Sequence, residues 1–139
     1  MTAPVFVDTS IWYAAADDGD ADRGVAQSLL AEHASALVTS DLVLGELWNL
    51  VNARTDFLTA NRVVEAVSAV ARVECATNAD LDAANSAVEA FGDQAFSLTD
   101  RISWTIMERL SIVDALAFDA DFRIYRYGPQ RRRAFAVRP

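Results

Sequence analysis

Apolar residues along the chain switch between two periods. Short β-rich runs at Pro4–Val7, Ala36–Thr39, Arg72–Ala76 and Val113–Phe118 read as strands, with a last, edge-like strand at Arg133–Val137. Between them, Ile11–Ala16, Arg23–His33, Asp41–Ala53, Leu58–Ala71, Ala79–Phe91 and Thr99–Leu110 place apolar residues at helical spacing. Ser40 or Asp41 caps the third of these helices. The Asp17-Asp18-Gly19-Asp20 cluster marks a loop. Strands alternating with helices predict an α/β sandwich on a small, mainly parallel sheet. No linker or repeat interrupts the pattern, so residues 1–139 are expected to form a single domain.

Composition narrows the class. Hydrophobic residues make up 53% of the 139 positions and charged residues 23%, which excludes disordered and low-complexity chains. The sequence has no lysine, so chemistry built on a lysine, such as a P-loop or a Schiff base, is excluded. The lone Cys75 ends an apolar stretch and is expected to be a reduced, buried, inert thiol. No secretory leader and no apolar run long enough to span a membrane is present, which predicts a soluble, cytoplasmic protein.

Charge is uneven. The net charge is −8, yet residues 123–139 carry six Arg and no acid. The tail is therefore basic and the body strongly acidic. A polyanion would be repelled by that body unless its acids gathered around a divalent cation.

Four carboxylates are placed to do so. Ligands of an open parallel sheet bind beyond the carboxyl ends of its strands. Asp8 follows the first strand and Asp119 follows Ala115–Phe118, which puts both on that edge. Asp100 opens a helix whose solvent stripe reads as Arg101, Thr105 and Glu108, and it lies instead above Ser103, Trp104 and Met107. Glu46 has Leu42, Val43 and Leu50 as helical neighbours, an apolar setting for a carboxylate.

Each acid also has an ordinary structural explanation. Asp8 and Asp100 suit helix starts, Asp119 and Asp121 suit a turn, and Glu46 can stand half-exposed and idle. None of these explains why all four should reach one sheet edge. Two like charges about 4 Å apart cost roughly 4 kcal/mol at an effective dielectric near 20, so convergence requires a cation. An all-oxygen set without paired His or Cys favours Mg²⁺ or Mn²⁺ over Zn²⁺. His33, the single histidine, is assigned to surface or capping duty, which disfavours a Ser-His-Asp triad.

Val7-Asp8-Thr9-Ser10, Leu44-Gly45-Glu46-Leu47, Ser97-Leu98-Thr99-Asp100-Arg101 and Ala117-Phe118-Asp119-Ala120-Asp121-Phe122 together resemble the four-acid pattern of PIN domains, particularly the VapC-type ribonuclease toxins of toxin–antitoxin pairs. The resemblance covers essentially the whole chain. It implies a three-layer α/β/α sandwich with Asp8, Glu46, Asp100 and Asp119 as metal-binding, catalytic acids. Ser10 and Thr9 would orient them, with Asp121 auxiliary. It further implies a Mg²⁺- or Mn²⁺-dependent endoribonuclease acting on tRNA or rRNA, neutralised by a small antitoxin, and forming a homodimer without a membrane partner.

Rival readings are a catalytically inactive module of the same fold that binds RNA or protein, an Asp-nucleophile phosphohydrolase, and a purely structural interaction domain. The phosphohydrolase usually needs a second Asp two residues after the first, where this chain has Ser10, and a lysine it lacks. In the tail, Arg131, Arg132 and Arg133 are candidate RNA phosphate contacts, with Tyr125 and Tyr127 available for base stacking. The competing role for the tail is a solvated edge strand shielding the sheet.

Overall fold

A computed structural model describes residues 2–139 of the chain. Five strands, β1 (Val5–Val7), β2 (Leu37–Ser40), β3 (Arg72–Glu74), β4 (Asp114–Leu116) and β5 (Ala136–Arg138), form one sheet in the order β3-β2-β1-β4-β5. Every pairing is parallel. Their apolar content follows from position: β1 lies at the centre and all three of its residues are buried, as a strand covered on both faces requires.

The helices are α1 (Thr9–Ala16), α2 (Arg23–Glu32), α3 (Asp41–Arg54), α4 (Phe57–Val70), α5 (Asn78–Ala90), α6 (Leu98–Arg109) and the short α7 (Asp121–Ile124). The crossovers from β1 to β2 to β3 carry α1 to α4, and the right-handedness of parallel crossovers puts them over one face. The return from β3 to β4 carries α5 and α6 over the other. Helix packing largely follows this division, since α1 packs on α2 and α3, α3 on α4, and α5 on α6, while α3 also meets α6 across the two layers. The result is a three-layer α/β/α sandwich.

Side-chain caps start most helices where the sequence supplies a cap residue. Ser40 Oγ accepts from Val43 N at 3.2 Å, Asp56 Oδ1 from Thr59 N at 2.7 Å, and Ser97 Oγ from Asp100 N at 3.1 Å. Thr77 and Asp80 form a reciprocal capping box on α5. The core between the layers is dense and aromatic on the α6 side: Phe6, Leu47, Trp104, Met107, Leu116 and Phe122 are fully buried. Each such side chain contributes about 1.5–3 kcal/mol by leaving water.

Several expectations are corrected. Cys75 is exposed rather than buried. The strand stops at Glu74, its last pairing partner being Ser40, and the chain then turns so that Ala76 N donates to Asp41 Oδ1. The strand expected over Val113–Phe118 spans only Asp114–Leu116, so Asp119 stands on a turn beyond the strand end. The last strand is shifted to Ala136–Arg138, because Arg133 is taken by an antiparallel bridge to Tyr127. Arg101 leaves the supposed solvent stripe: it is half-buried and donates to Phe96 O at 3.2 Å and Ala84 O at 2.9 Å, tying α6 to α5. No helix among the described residues is long and apolar enough to cross a membrane.

Candidate metal centre

Asp8 is the N-cap of α1, with its Oδ2 accepting from Ser10 N at 3.3 Å and Ser10 Oγ at 2.7 Å. Its backbone N–H donates to Leu116 O at 3.0 Å, so the sheet itself fixes the residue next to β4. Ser10 Oγ in turn accepts from Phe118 N at 3.0 Å. One hydroxyl thus links the acid after β1 to the turn that carries Asp119. In that turn Asp119 Oδ1 accepts from Asp121 N at 2.9 Å, which orients the carboxylate and starts α7. Asp100 projects from the first turn of α6 and is 5% exposed.

One oxygen from each of Asp8, Asp100 and Asp119 lies within 4.8 Å of the others. Glu46 is half-buried and outside that tight triad, but it lines the same hollow of about 330 Å³, together with Thr9, Ser10, Leu50, Ser97 and Asp121. The hollow brings together all four acids and the three auxiliary residues named from the sequence. No basic side chain is among its lining residues. Sequence reasoning misses Ser97 and Leu50 as parts of the site, although the Ser97-x-x-Asp100 spacing of a helix start is a usable signal for the first.

Electrostatics register the convergence. Burial pushes the Asp8 carboxyl up to about 6, against the lowering effect of its bonds to Ser10 and Thr9, with the charge of Asp119 raising it further. Burial again is the largest cause at Asp100, pushed up to about 9, with Asp8, Asp119 and Glu46 adding like-charge repulsion. Burial and Asp119 raise Asp121 in the same direction. At separations near 4–5 Å each ionised pair costs about 3–4 kcal/mol at an effective dielectric of 20.

The donor set fits a hard divalent cation. Asp8 Oδ1 is buried and has no hydrogen-bond partner, as has Thr9 Oγ1, so two oxygens in or beside the cluster stand without a donor. A carboxylate oxygen in that state is stabilised by a positive charge placed before it, and all-oxygen ligand sets with bonds of about 2.1 Å suit Mg²⁺-like ions. Asp8, Asp100 and Asp119 would hold such an ion, with Glu46 lining the same hollow.

The tail divides. Arg123 lies on α7 beside the site and donates to Val137 O at 3.4 Å, while Arg138 ends β5 opposite Leu116, on the same sheet edge. Arg133 borders the last turn of α6 with Met107 and Glu108, at the other end of that helix from Asp100. Eight residues of helix separate those ends by about 12 Å. Arg132 and Arg133 are exposed, whereas Arg131 is half-buried and donates to Tyr125 Oη at 3.0 Å. The expectation of free tyrosines is corrected. Tyr125 is 3% exposed and stacks on Trp104, and Tyr127 stacks on Phe135 at 4.4 Å, so core packing has claimed both rings.

A sheet order of 3-2-1-4-5 with four acids at its carboxyl edge is the arrangement of a PIN domain, and residues 5–126 match that family's model. The chain belongs to the PIN-domain family. Among its relatives, the 23S rRNA-specific endonuclease VapC20 of Mycobacterium tuberculosis is 38% identical over 120 residues, covering 85% of this chain and 91% of the relative. The crystal structure of M. tuberculosis VapC20, described as a sarcin–ricin loop cleaving toxin, superposes with a TM-score of 0.79 at 35% identity, covering 84% of this chain and 91% of that one. The fold alone is shared with VapBC2 from Rickettsia felis bound to a promoter DNA fragment, at a TM-score of 0.66 and 12% identity over 96% of both chains. A Pyrobaculum aerophilum protein shares it at 0.63 and 20% identity, over 88% of this chain and 78% of that one.

Proposed function

We propose that this chain is a VapC-type toxin, a Mg²⁺- or Mn²⁺-dependent endoribonuclease that hydrolyses structured RNA and is neutralised by a cognate antitoxin. The observation that carries this reading is the convergence of Asp8, Asp100 and Asp119 oxygens within 4.8 Å, with Asp8 Oδ1 left without a partner. Ribosomal RNA is the first substrate to test, since the VapC20 relatives act on 23S rRNA; tRNA is the second.

The side chains divide the work. When bound, a divalent cation supplies Lewis-acid polarisation of the phosphodiester and a lowered pKa for water at its open positions. Asp8, Asp100 and Asp119 would hold it, and Glu46 would complete the acidic wall. Ser10 keeps Asp8 from rotating away, and the Asp121 backbone N–H does the same for Asp119. Thr9 presents a buried hydroxyl without a partner beside the acids. In-line attack by water then leaves a 5′-phosphate and a 3′-hydroxyl. Arg138 on the site's edge is a candidate for RNA phosphates, with Arg132 and Arg133 offering a second, distal contact; Arg123, which donates to Val137 O and Pro139 O, and Arg131 are already engaged.

A homodimer is part of the proposal, and so is action in the cytoplasm, where ribosomal RNA resides. Phe57 and Leu58 at the start of α4 are 65% and 57% exposed, apolar surface of the kind that a partner covers. Sedimentation of the purified chain checks the dimer.

The deciding experiment incubates purified protein with ribosomes or total RNA in Mg²⁺ or Mn²⁺, with EDTA and Asp100→Asn controls, and maps new 5′ ends. A discrete cut that EDTA and the variant both remove is expected. RNA binding without any cut would assign the chain to the inactive module instead.

A further inference from the structure

Trp104 follows Asp100 by one turn of α6, and residues at i and i+4 share a helix face. The indole is fully buried. Two side chains from the Asp119-bearing segment converge on it. Tyr125 stacks on the indole with centroids 4.3 Å apart and planes 18° from parallel, and Phe122 of α7 meets it edge-on at 5.5 Å. The segment carrying one acid is therefore docked onto the helix carrying another at this ring.

What holds Tyr125 there comes from beyond it in the chain. Arg131 Nη1 donates to Tyr125 Oη at 3.0 Å and reaches Arg126 O at 3.4 Å. The same guanidinium lies over the Phe91 ring, 5.5 Å from its centroid. The backbone takes an uncommon course to place it: Gly128 has φ 74°, Gln130 φ 58° and Arg131 φ 49°. Two consecutive non-glycine residues in the left-handed region are sparsely populated, and such conformations persist where surrounding contacts enforce them. A solvated arginine waiting for phosphate needs no such backbone. Residues 127–139 also lie outside the stretch matched to the family, so this brace is supplied by the chain's own C-terminal segment.

We propose that Arg131 is a positioning residue for the acidic centre, acting through Tyr125 and Trp104 to keep Asp119 in register with Asp100. The inference rests on the metal-centre reading above. It also reassigns Arg131 from RNA contact to brace.

The test uses the full chain and two variants. Arg131→Met keeps a stem of similar length and removes the guanidinium, and Tyr125→Phe keeps the stacked ring and removes only the acceptor. Mn²⁺ affinity is measured without RNA, from the electron paramagnetic resonance signal of free Mn²⁺; kcat, KM and the salt dependence of KM are measured on RNA. Groups bonded directly to metal ligands are typically worth 10- to 100-fold, and Arg131 acts further out, through Tyr125, so Arg131→Met is expected to weaken Mn²⁺ binding and lower kcat by several-fold, up to about tenfold. KM and its salt dependence stay unchanged. Tyr125→Phe shifts both in the same direction, and the double variant is no worse than Arg131→Met alone.

Wild-type Mn²⁺ affinity in both variants, with a raised KM and flattened salt dependence for Arg131→Met, overturns the brace and restores the phosphate contact. Should Arg131→Met fail to fold, Tyr125→Phe decides alone, and an unchanged Mn²⁺ affinity there overturns the proposal. If the wild type binds Mn²⁺ but cuts no RNA, the nuclease reading fails while the Mn²⁺ comparison still judges the brace.

Discussion

The Ser10 hydroxyl donates to Asp8 Oδ2 over 2.7 Å, and the same hydroxyl oxygen accepts from Phe118 N, so the acid after the central strand and the turn after its neighbour share one fixed point. Ser10→Ala removes both bonds. The expected cost is about 1–2 kcal/mol of stability, because Phe118 N is left without its half-buried acceptor. A tenfold or greater drop in metal affinity is expected alongside it, since the Asp8 carboxylate is freed to rotate. Calorimetric titration with Mn²⁺ checks the second effect, and an unchanged affinity would show that α1 capping alone holds Asp8 in place.

Asp100→Asn is expected to abolish cleavage while making the metal-free protein more stable at pH 8. Burial, and then the charges of Asp8, Asp119 and Glu46, push the Asp100 carboxyl up to about 9, so at pH 8 folding must protonate it, a cost that an amide does not carry. Thermal unfolding in EDTA measures this. A variant less stable than wild type under those conditions contradicts that cost.

The pH dependence has a defined sign. Asp8 and Asp100 both titrate higher in the folded chain than in the unfolded one, so the folded state holds protons that the unfolded state has released. Their contribution is fully present below about pH 4 and is lost as pH rises, through about 6 for Asp8 and about 9 for Asp100. For Asp8 a shift of this size corresponds to about 3 kcal/mol. Metal-free protein is therefore expected to unfold more easily at pH 8 than at pH 5, and saturating Mn²⁺ is expected to narrow that gap. Flat thermal stability across pH 5–8 in EDTA would argue that Asp8 and Asp100 are more solvated than their 3% and 5% exposure indicates.

Asp80 gives a contrast of opposite sign. Burial would raise it, but Arg109 binds it through two bonds of 3.0 Å and Thr77 caps with it, so its carboxyl is held below the usual range. That stability is present above the ordinary carboxylate range and is lost on acidification. Arg109→Met leaves a carboxylate that is 1% exposed without its cation, and is expected to cost about 2 kcal/mol, discounted because the arginine itself is partly solvated. Chemical denaturation at pH 7 and pH 3 checks it, with the difference from wild type shrinking at the lower pH.

The paired variant Arg132→Ala/Arg133→Ala tests the distal arginines. If they meet RNA phosphates, the log–log salt slope of binding is expected to flatten by about 0.7 for each phosphate no longer neutralised, with metal affinity unchanged. An unaltered slope assigns them to solvated surface with no part in RNA binding.

The parts of this architecture that sequence made legible are those with long periodic patterns. β1 with Asp8 after it, α3 with its Ser40 cap, and α6 with Asp100 turned from solvent all appear where apolar spacing placed them. Glu46 is legible because a carboxylate among leucines and valines is conspicuous. Local spacing fails where long-range packing decides. α7 has four residues, too few to show a helical period, and it forms because Phe122 and Tyr125 find Trp104. The tail reads as a uniform basic strip, yet a left-handed turn at Gln130 and Arg131 accompanies a split between Arg131, bonded to Tyr125, and the exposed Arg132 and Arg133. Asp80 reads as one more helical acid, since nothing near it in sequence announces Arg109.

The helix starts at the site have a further consequence. Asp8 caps α1 and Asp100 sits in the first turn of α6, so the positive ends of two backbone dipoles face the same hollow. Each offsets part of the acids' repulsion, by roughly 0.3–1 kcal/mol where exposed and up to about 2 where buried. A lysine or arginine in the hollow would offset more, but it would also occupy the carboxylates. Backbone dipoles cannot be displaced and bind nothing in competition, so the acids are made tolerable to the fold while their charge stays open to a diffusible cation.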